Sequence, residues 1–331
     1  MKKIIIVKQG GIGDVILVTS VIAELKRIFF DSYITLMIKK NAIDIIKGLD
    51  FIDDVFVYDK QNCSVYRLWK KMRGYDISIH LDLTYRPAMI AALAGIPIRI
   101  GIEHKRKIWL NKPVKWEEYM DHVYEPYVMG DIVNKGLSIK LNKNKLNKPY
   151  ITAAMNDEYN ILEKFLFNNG INKGKRYVVS SPITAYFLKN WPLNKWNELY
   201  SRLYNKYGIK TVIFGCGDLK YNWNKDAVID LFNKLNLRQV GALIKDAELL
   251  VNSCSMPIHM AAAVNTKCVV LYGYGDPNRW APRFNCSTVV TKLKCSPCDG
   301  YVGSKCTNPL CMKNMTVEEV FKTCETMLDK G

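Results

Sequence analysis

Acid and histidine are scarce in this chain. Its 331 residues hold 31 Asp and Glu against 48 Lys and Arg, and 4 His. No Asp-x-Asp motif occurs, so a paired-carboxylate device of that kind for holding magnesium on a diphosphate is missing. Long apolar runs are missing as well. A membrane-spanning helix needs ~18 or more apolar residues in a row. The longest candidate, Met89 to Ile98, contains Gly95 and Pro97 and stops at Arg99. Met1-Lys2-Lys3 resembles the start of a signal peptide, but the apolar stretch behind it ends at Lys8, so a cytoplasmic protein is expected. A dinucleotide fingerprint fails for want of a third glycine. Gly11-x-Gly13 is followed by Ile16 at that position, and the second strand-like run closes on Lys39-Lys40 where an acid would hold the ribose. This argues against a nicotinamide enzyme. The net charge of +17 is spread along the chain, with 25 Lys or Arg against 16 Asp or Glu in residues 1–150. No basic helix, finger or aromatic RNA-binding motif accompanies it, so no nucleic-acid partner is expected. An anionic small molecule or an anionic membrane surface suits that charge better.

What the chain has is alternation. Ile4–Val7, Tyr33–Met37, Val55–Val57 and Ile77–His80 read as strands, with helical patterns near 14–29, 41–49 and 61–73. Residues 142–149 are polar, end in proline and read as a linker. Beyond them Tyr177–Ser180, Thr211–Phe214, Leu249–Val251 and Cys268–Leu271 read as strands, with helices near 155–168, 195–206 and 257–264. Strands alternating with helices give parallel, doubly wound sheets. The expectation is an α/β chain of two Rossmann-like domains, 1–150 and 151–331, facing a central cleft where ligands bind. The glycine turn Gly10-Gly11-Ile12-Gly13-Asp14 leaves the first strand and opens a helix. Asp14 is either the cap of that helix or a base held at the mouth of a cleft.

The segment Lys8-Gln9-Gly10-Gly11-Ile12-Gly13-Asp14-Val15-Ile16 resembles the opening of the family 9 glycosyltransferases, the ADP-heptose:lipopolysaccharide heptosyltransferases. The likeness runs on through Leu81-Asp82-Leu83 with Arg86, Arg99-Ile100-Gly101, Lys189-Asn190-Trp191-Pro192, Gly215-x-Gly217-Asp218, Gly241-Ala242-Leu243, His259-Met260-Ala261-Ala262-Ala263, Leu271-Tyr272-Gly273, Asp276-Pro277 and Arg279-Trp280. Each motif is short; their shared order is what carries the resemblance. It implies a GT-B architecture, with the acceptor on the first domain, the nucleotide-sugar on the second, and a final helix after about residue 315 crossing back to the first. It further implies an inverting, metal-independent transfer of a sugar, heptose by analogy, from a nucleotide diphosphate such as ADP-heptose to a lipopolysaccharide-core or related acceptor. That acceptor would be an anionic lipid-linked saccharide or a protein. A peripheral place on the inner face of the bacterial inner membrane follows.

Under that resemblance Asp14 is the base, and Gly11 and Gly13 let the chain approach the donor. Lys189, at a strand end, offers a point charge to phosphate, with Thr184 just ahead of it. Ser255 and Pro257 start a helix whose N-terminal N–H groups suit a diphosphate. His259 either lines that site or is a satisfied core histidine. Asp218 either binds ribose hydroxyls or caps a following helix. Asp82 and Arg86 are expected on the acceptor. Where the family has Asp-Ser/Thr-Gly, this chain has Cys254-Ser255-Met256. Cysteine hydrogen-bonds weakly and methionine crowds a loop, which leaves open a different donor sugar, a degenerate nucleotide-sugar-binding partner of a true transferase, or a GT-B epimerase.

Six of the ten cysteines are scattered, as in a reducing compartment. The other four cluster as Cys295-x2-Cys298-x7-Cys306-x4-Cys311 in the loop 295–311, a spacing comparable to thiolate metal sites. Structural zinc or iron there is expected, the latter by likeness to the protein-modifying heptosyltransferases; free thiols or occasional disulfides are the other reading, and a catalytic metal is not expected. Arg67, Lys70, Lys71 and Arg73, and the run Lys105-Arg106-Lys107, are either solvated faces or contacts to an anionic acceptor or membrane.

Overall fold

The β-branched run Ile4-Ile5-Ile6-Val7 is wholly buried because it sits in the middle of a parallel sheet covered on both faces. The computed structural model describes residues 1–296, 298 and 306–329. In it the chain divides into two compact units, Met1–Thr152 and Ala153–Gly331. The first holds β1 (Lys2–Val7), α1 (Ile12–Ile28), β2 (Ser32–Ile38), α2 (Ile43–Ile46), β3 (Asp54–Val57), α3 (Val65–Met72), β4 (Ile77–His80), α4 (Tyr85–Leu93), β5 (Ile98–Ile102), β6 (Lys112–Val114) and α5 (Glu125–Leu137). Its strands lie in the order β3-β2-β1-β4-β5-β6, all parallel.

The second unit holds α6 (Asp157–Asn168), β7 (Tyr177–Ser180), α7 (Leu193–Tyr207), β8 (Lys210–Ile213), β9 (Val228–Asp230), α8 (Leu237–Lys245), β10 (Leu249–Ser253), α9 (Met256–Val264), β11 (Cys268–Tyr272), α10 (Pro277–Trp280), β12 (Cys286–Val290), α11 (Leu310–Asn314) and α12 (Val317–Leu328). Its order is β12-β11-β10-β7-β8-β9, again parallel, which is the first order repeated. The winding reverses between β1 and β4 in one sheet and between β7 and β10 in the other. In open α/β sheets ligands bind outside the carboxyl ends of the strands at such reversals.

Two expectations meet a different structure. The stretch 142–149 is not a free linker. Leu141, Leu146 and Asn147 are buried, Leu146 packs on Gly130 of α5, and the Tyr127 hydroxyl donates to Asn147 Oδ1 at 2.6 Å. The final helix, expected to cross back, packs on its own unit. α12 buries Val320, Phe321 and Cys324 against α7 and strands β10 to β12 of its own unit, and is fixed at its start by a Thr316–Glu319 capping box.

Candidate functional site

In the first unit the site is built on the carboxyl ends of β1 and β4. The strand β1 carries the chain to Lys8, whose aliphatic stem is buried and whose ammonium needs partners there. It donates to the Leu81 carbonyl at 3.1 Å and to Glu125 Oε1 at 3.2 Å, and lies 3.5 Å from Asp14 Oδ1. Burial works to lower the Lys8 pKa, but Glu125 and Asp14 outweigh it and the net shift is upward. Lys8 therefore stays cationic, and Asp14 is held beside a fixed positive charge.

Asp14 itself stands at the third position of α1. Its Oδ2 accepts from the Gly11 N–H at 2.9 Å, while the side chain keeps about 29% of its surface exposed. Both readings of this residue are thus compatible with one geometry: one oxygen caps the helix, and the carboxylate still reaches solvent. Gly10 is required for it, since a Cβ there would sit 2.7 Å from three atoms of the Asp14 side chain. Gly11 and Gly13 belong to this turn in the first unit, with the Gly11 N–H engaged by Asp14.

Asp82, after β4, has both oxygens engaged by the chain. Oδ2 accepts from the Gln9 N–H at 2.6 Å; Oδ1 accepts from the Thr84 N–H at 2.8 Å and from the Thr84 hydroxyl. It ties the β1 and β4 ends together. Arg86 donates to the Lys60 carbonyl at 2.9 Å and lines a cavity of about 750 Å³ with Gln9, Lys39, Lys40, Tyr58 and Lys60. Four cations against the one carboxylate of Asp59 in the cavity lining suit an anionic guest. Arg106, read from sequence within a surface charge run, is fully buried instead. Its guanidinium donates to the carbonyls of Ile102 and Thr84, and burial, opposed by Asp82, lowers its pKa. Beneath, the buried His80 on β4 is pushed down to about 3 by desolvation, with Arg106 and Arg99 adding to it.

In the second unit the carboxyl ends of β7, β10 and β11 gather most of the expected donor residues. Asn252, at the end of β10, accepts from the Ser181 N–H at 2.7 Å and so joins β7 to β10 where the winding reverses. Its Nδ2 donates to Ser255 Oγ at 2.9 Å, and Ser255 Oγ donates to the Ser253 carbonyl. Ser255 occupies the N-cap position of α9 but makes no side-chain cap there. Lys189 lies over the Tyr274 ring at 5.4 Å and acts electrostatically on Cys254. The Cys254 thiol is buried and raised, first by desolvation, with Lys189 pulling the other way. A Cβ on Gly275 would lie 3.9 Å from Cys254 Sγ and 3.6 Å from the Trp280 ring, and His259 is 6.4 Å from Trp280 between ring centres. Lys189, Cys254 and His259 thus share one end of the sheet.

Met256 is the first residue of α9 and has no positive φ, so the position does not need glycine. Thr184 spends its hydroxyl on Tyr186 and Asn190 in the turn leading to Lys189. Asp218 is exposed and, contrary to one expectation, caps no helix: the chain runs without one from there to β9. A larger cavity of about 980 Å³ lies at the opposite, amino end of β7, between Arg176, Tyr177 and Glu248, away from these groups.

Of the four clustered cysteines, Cys295 is exposed, Cys298 and Cys306 are half-buried and Cys311 is buried. Residues 297 and 299–305 of that loop lie outside the described residues. Burial raises Cys298 and Cys311, and the other cysteines of the group raise both further. Among the described residues no group of three His, Cys, Asp or Glu is set to hold a metal ion. The cluster braces the same end of the unit. Cys298 bridges to Tyr274, and Cys311 and Met312 pack on Gly273 so closely that a Cβ there would meet Cys311 Sγ at 2.6 Å.

Sequence reasoning passed over Lys8, Glu125, Asn252 and Tyr274. A lysine closing an apolar strand was a signal for the first; the others depend on partners far along the chain.

The comparisons with known proteins bear on the family and the fold. The family model of glycosyltransferase family 9 (heptosyltransferase) matches residues 65–306. The sequence is 24% identical over 293 residues to lipopolysaccharide heptosyltransferase 3 of Escherichia coli, covering 82% of this chain and 84% of that protein. The fold is similar to that of a family 9 glycosyl transferase from Veillonella parvula, with a TM-score of 0.80, 18% identity, and 100% and 98% of the two chains covered. It is similar also to E. coli ADP-heptose lps heptosyltransferase II, with a TM-score of 0.79, 18% identity, and 100% and 99% covered. The chain is an α/β transferase of the GT-B fold and belongs to glycosyltransferase family 9, the heptosyltransferases.

Proposed function

We propose that this chain is an inverting heptosyltransferase that moves heptose from ADP-heptose to an anionic lipid-linked saccharide of the lipopolysaccharide core, at the inner face of the inner membrane. The carrying observation is Asp14, a solvent-reaching carboxylate at the carboxyl end of β1, fixed by Gly11 and Lys8. In the reaction Asp14 takes the proton of the acceptor hydroxyl as that oxygen bonds to the anomeric carbon. The bond from that carbon to the diphosphate breaks, through an oxocarbenium-like transition state, and the anomeric configuration inverts. The leaving diphosphate gains charge. Lys189 and the N–H groups at the start of α9 take it, so no step is assigned to a metal. His259 and Ser255 border that cradle, and Asp218 is free of helix capping and suits the ribose. Arg86 and the lysines of the first-unit cavity receive the acceptor's anionic group, while Asp82 shapes the loop they stand on.

Zinc or iron at Cys295, Cys298, Cys306 and Cys311 is a separate part of this reading. Its support is the spacing of the four thiols and their soft-donor chemistry. Metal analysis of the purified protein tests it: one equivalent, lost in Cys298→Ser, is expected, and none overturns it.

The transfer is tested with ADP-heptose and a lipid-core acceptor. The expected product gains one heptose with inverted anomeric configuration by NMR. Nucleotide-sugar binding with no transfer to any acceptor would make the chain a binding partner instead. Epimerised or hydrolysed donor without acceptor would make it an epimerase.

A further inference from the structure

We infer that the outer face of α3 and α4 is the surface by which the first unit docks on an anionic lipid bilayer. The inference takes the membrane contact from the proposed function and adds the surface that makes it. Tyr85, Met89 and Leu93 recur every fourth residue along α4 and so form one stripe, whose middle member Met89 packs on the core of the unit while the two ends face outward. Tyr85 and Leu93 stand 45% and 58% exposed. Beside them α3, packed on α4, presents Val65 and Tyr66, 47% and 68% exposed. The Trp69 ring stacks on Tyr66 at 5.9 Å and donates its Nε1–H to the Leu93 carbonyl at 3.2 Å, which locks the two helices' apolar edges together. On the other flank Ile108 stands 77% exposed and Trp109 packs edge-on against Tyr85. Aromatic rings with a polar edge suit the boundary between headgroups and acyl chains.

Charge selects the occupant. No acidic residue occurs from Lys60 to Tyr75 or from Leu83 to Ile102, two stretches that carry Arg67, Lys70 and Arg73 besides Lys71, which pairs with Asp54, and Arg86 and Arg99, which donate to backbone carbonyls. Arg67, Lys70 and Arg73 are exposed, and Arg73 lies over the Trp69 ring at 4.8 Å, at the rim of the apolar face. A second copy of this chain would bring a like-charged rim against its own, which repels. An anionic headgroup layer complements it.

Co-sedimentation with vesicles, in the absence of donor and acceptor, tests the surface apart from the transfer activity. Binding to phosphatidylethanolamine–phosphatidylglycerol vesicles, weakened by salt and absent from phosphatidylcholine vesicles, is expected. The pair Arg67→Glu and Lys70→Glu is expected to weaken it at least ~10-fold, and the pair Tyr66→Ser and Leu93→Ser to weaken it at low and high salt alike. Both variants should keep the wild-type melting temperature and full transfer to a delipidated, water-soluble acceptor. Equal binding to neutral vesicles, or unchanged binding in both variants, overturns the inference. So does a dimer in light scattering that Tyr66→Ser with Leu93→Ser disperses, which would assign the face to a second copy.

Discussion

Helices α1 and α9 both leave a buried strand at the carboxyl edge of a parallel sheet, beside the point where its winding reverses, and they begin in opposite ways. α1 closes its own start. Asp14 reaches back to the Gly11 N–H, so the positive end of the helix is answered by a carboxylate from the same turn. α9 does not. Its N-cap serine is engaged by Asn252 and Ser253, its first turn carries no acid, and Lys189 stands over the neighbouring Tyr274. One winding order, used twice, therefore yields an edge that offers negative charge and an edge that accepts it. The two halves of a glycosyl transfer, proton removal and diphosphate departure, call for those two signs.

The comparison breaks most visibly at Asp14. Asp14→Asn keeps the shape and a capping oxygen but loses the base, so kcat should fall ~10²- to 10⁴-fold while calorimetric affinity for ADP is unchanged. Near-normal turnover would leave Asp14 as a cap alone. The converse change is Lys189→Gln, which should leave the acid edge intact and weaken ADP binding ~10- to 100-fold, as the loss of a charged hydrogen bond does. Unchanged affinity would put the diphosphate elsewhere.

Acidification sharpens the contrast, because His80 is buried under the acid edge. Its pKa is pushed from 6.5 down to about 3 in the folded chain, by burial first and then by Arg106 and Arg99. Between those two pH values the unfolded chain binds a proton that the folded one refuses. Stability is therefore full above pH 6.5 and falls as pH drops towards 3, by up to ~1.4 kcal/mol per pH unit. Native-state hydrogen exchange should show β4 losing protection in that window, and His80→Gln should flatten the slope. The smallest effect is expected at Met256→Gly. A helical position gains nothing from glycine's freedom, so the melting temperature should drop by the equivalent of ~1 kcal/mol with no gain in donor affinity. Tighter binding would show that methionine does obstruct the phosphate site.

The strands were legible because short apolar runs such as Ile4–Val7 and Leu249–Val251 have one stable place, inside a covered parallel sheet. The turn at Gly10–Asp14 was legible for a local reason, a carboxylate three residues past a helix's first N–H. Long-range partners were not. Stretch 142–149 looked like a tether because its anchors are long-range: Leu146 and Asn147 find partners on α5, and the Asn142 N–H donates to Glu24 on α1. Arg106 looked solvated among lysines because the two carbonyls that bury it, at Ile102 and Thr84, carry no side-chain signal. Asp82 looked available because nothing in its neighbourhood announced Gln9 as a claimant, 73 residues earlier.

Lys8 carries a consequence for how this protein can change. One ammonium answers both the buried Glu125, which holds α5 to β1, and Asp14. Shortening or neutralising Lys8 would take one positive charge away from the buried Glu125 and at the same moment alter the field at Asp14. Drift at position 8 is therefore felt at positions 14 and 125 together, and a lineage that retunes the acid also disturbs the packing of α5 on β1.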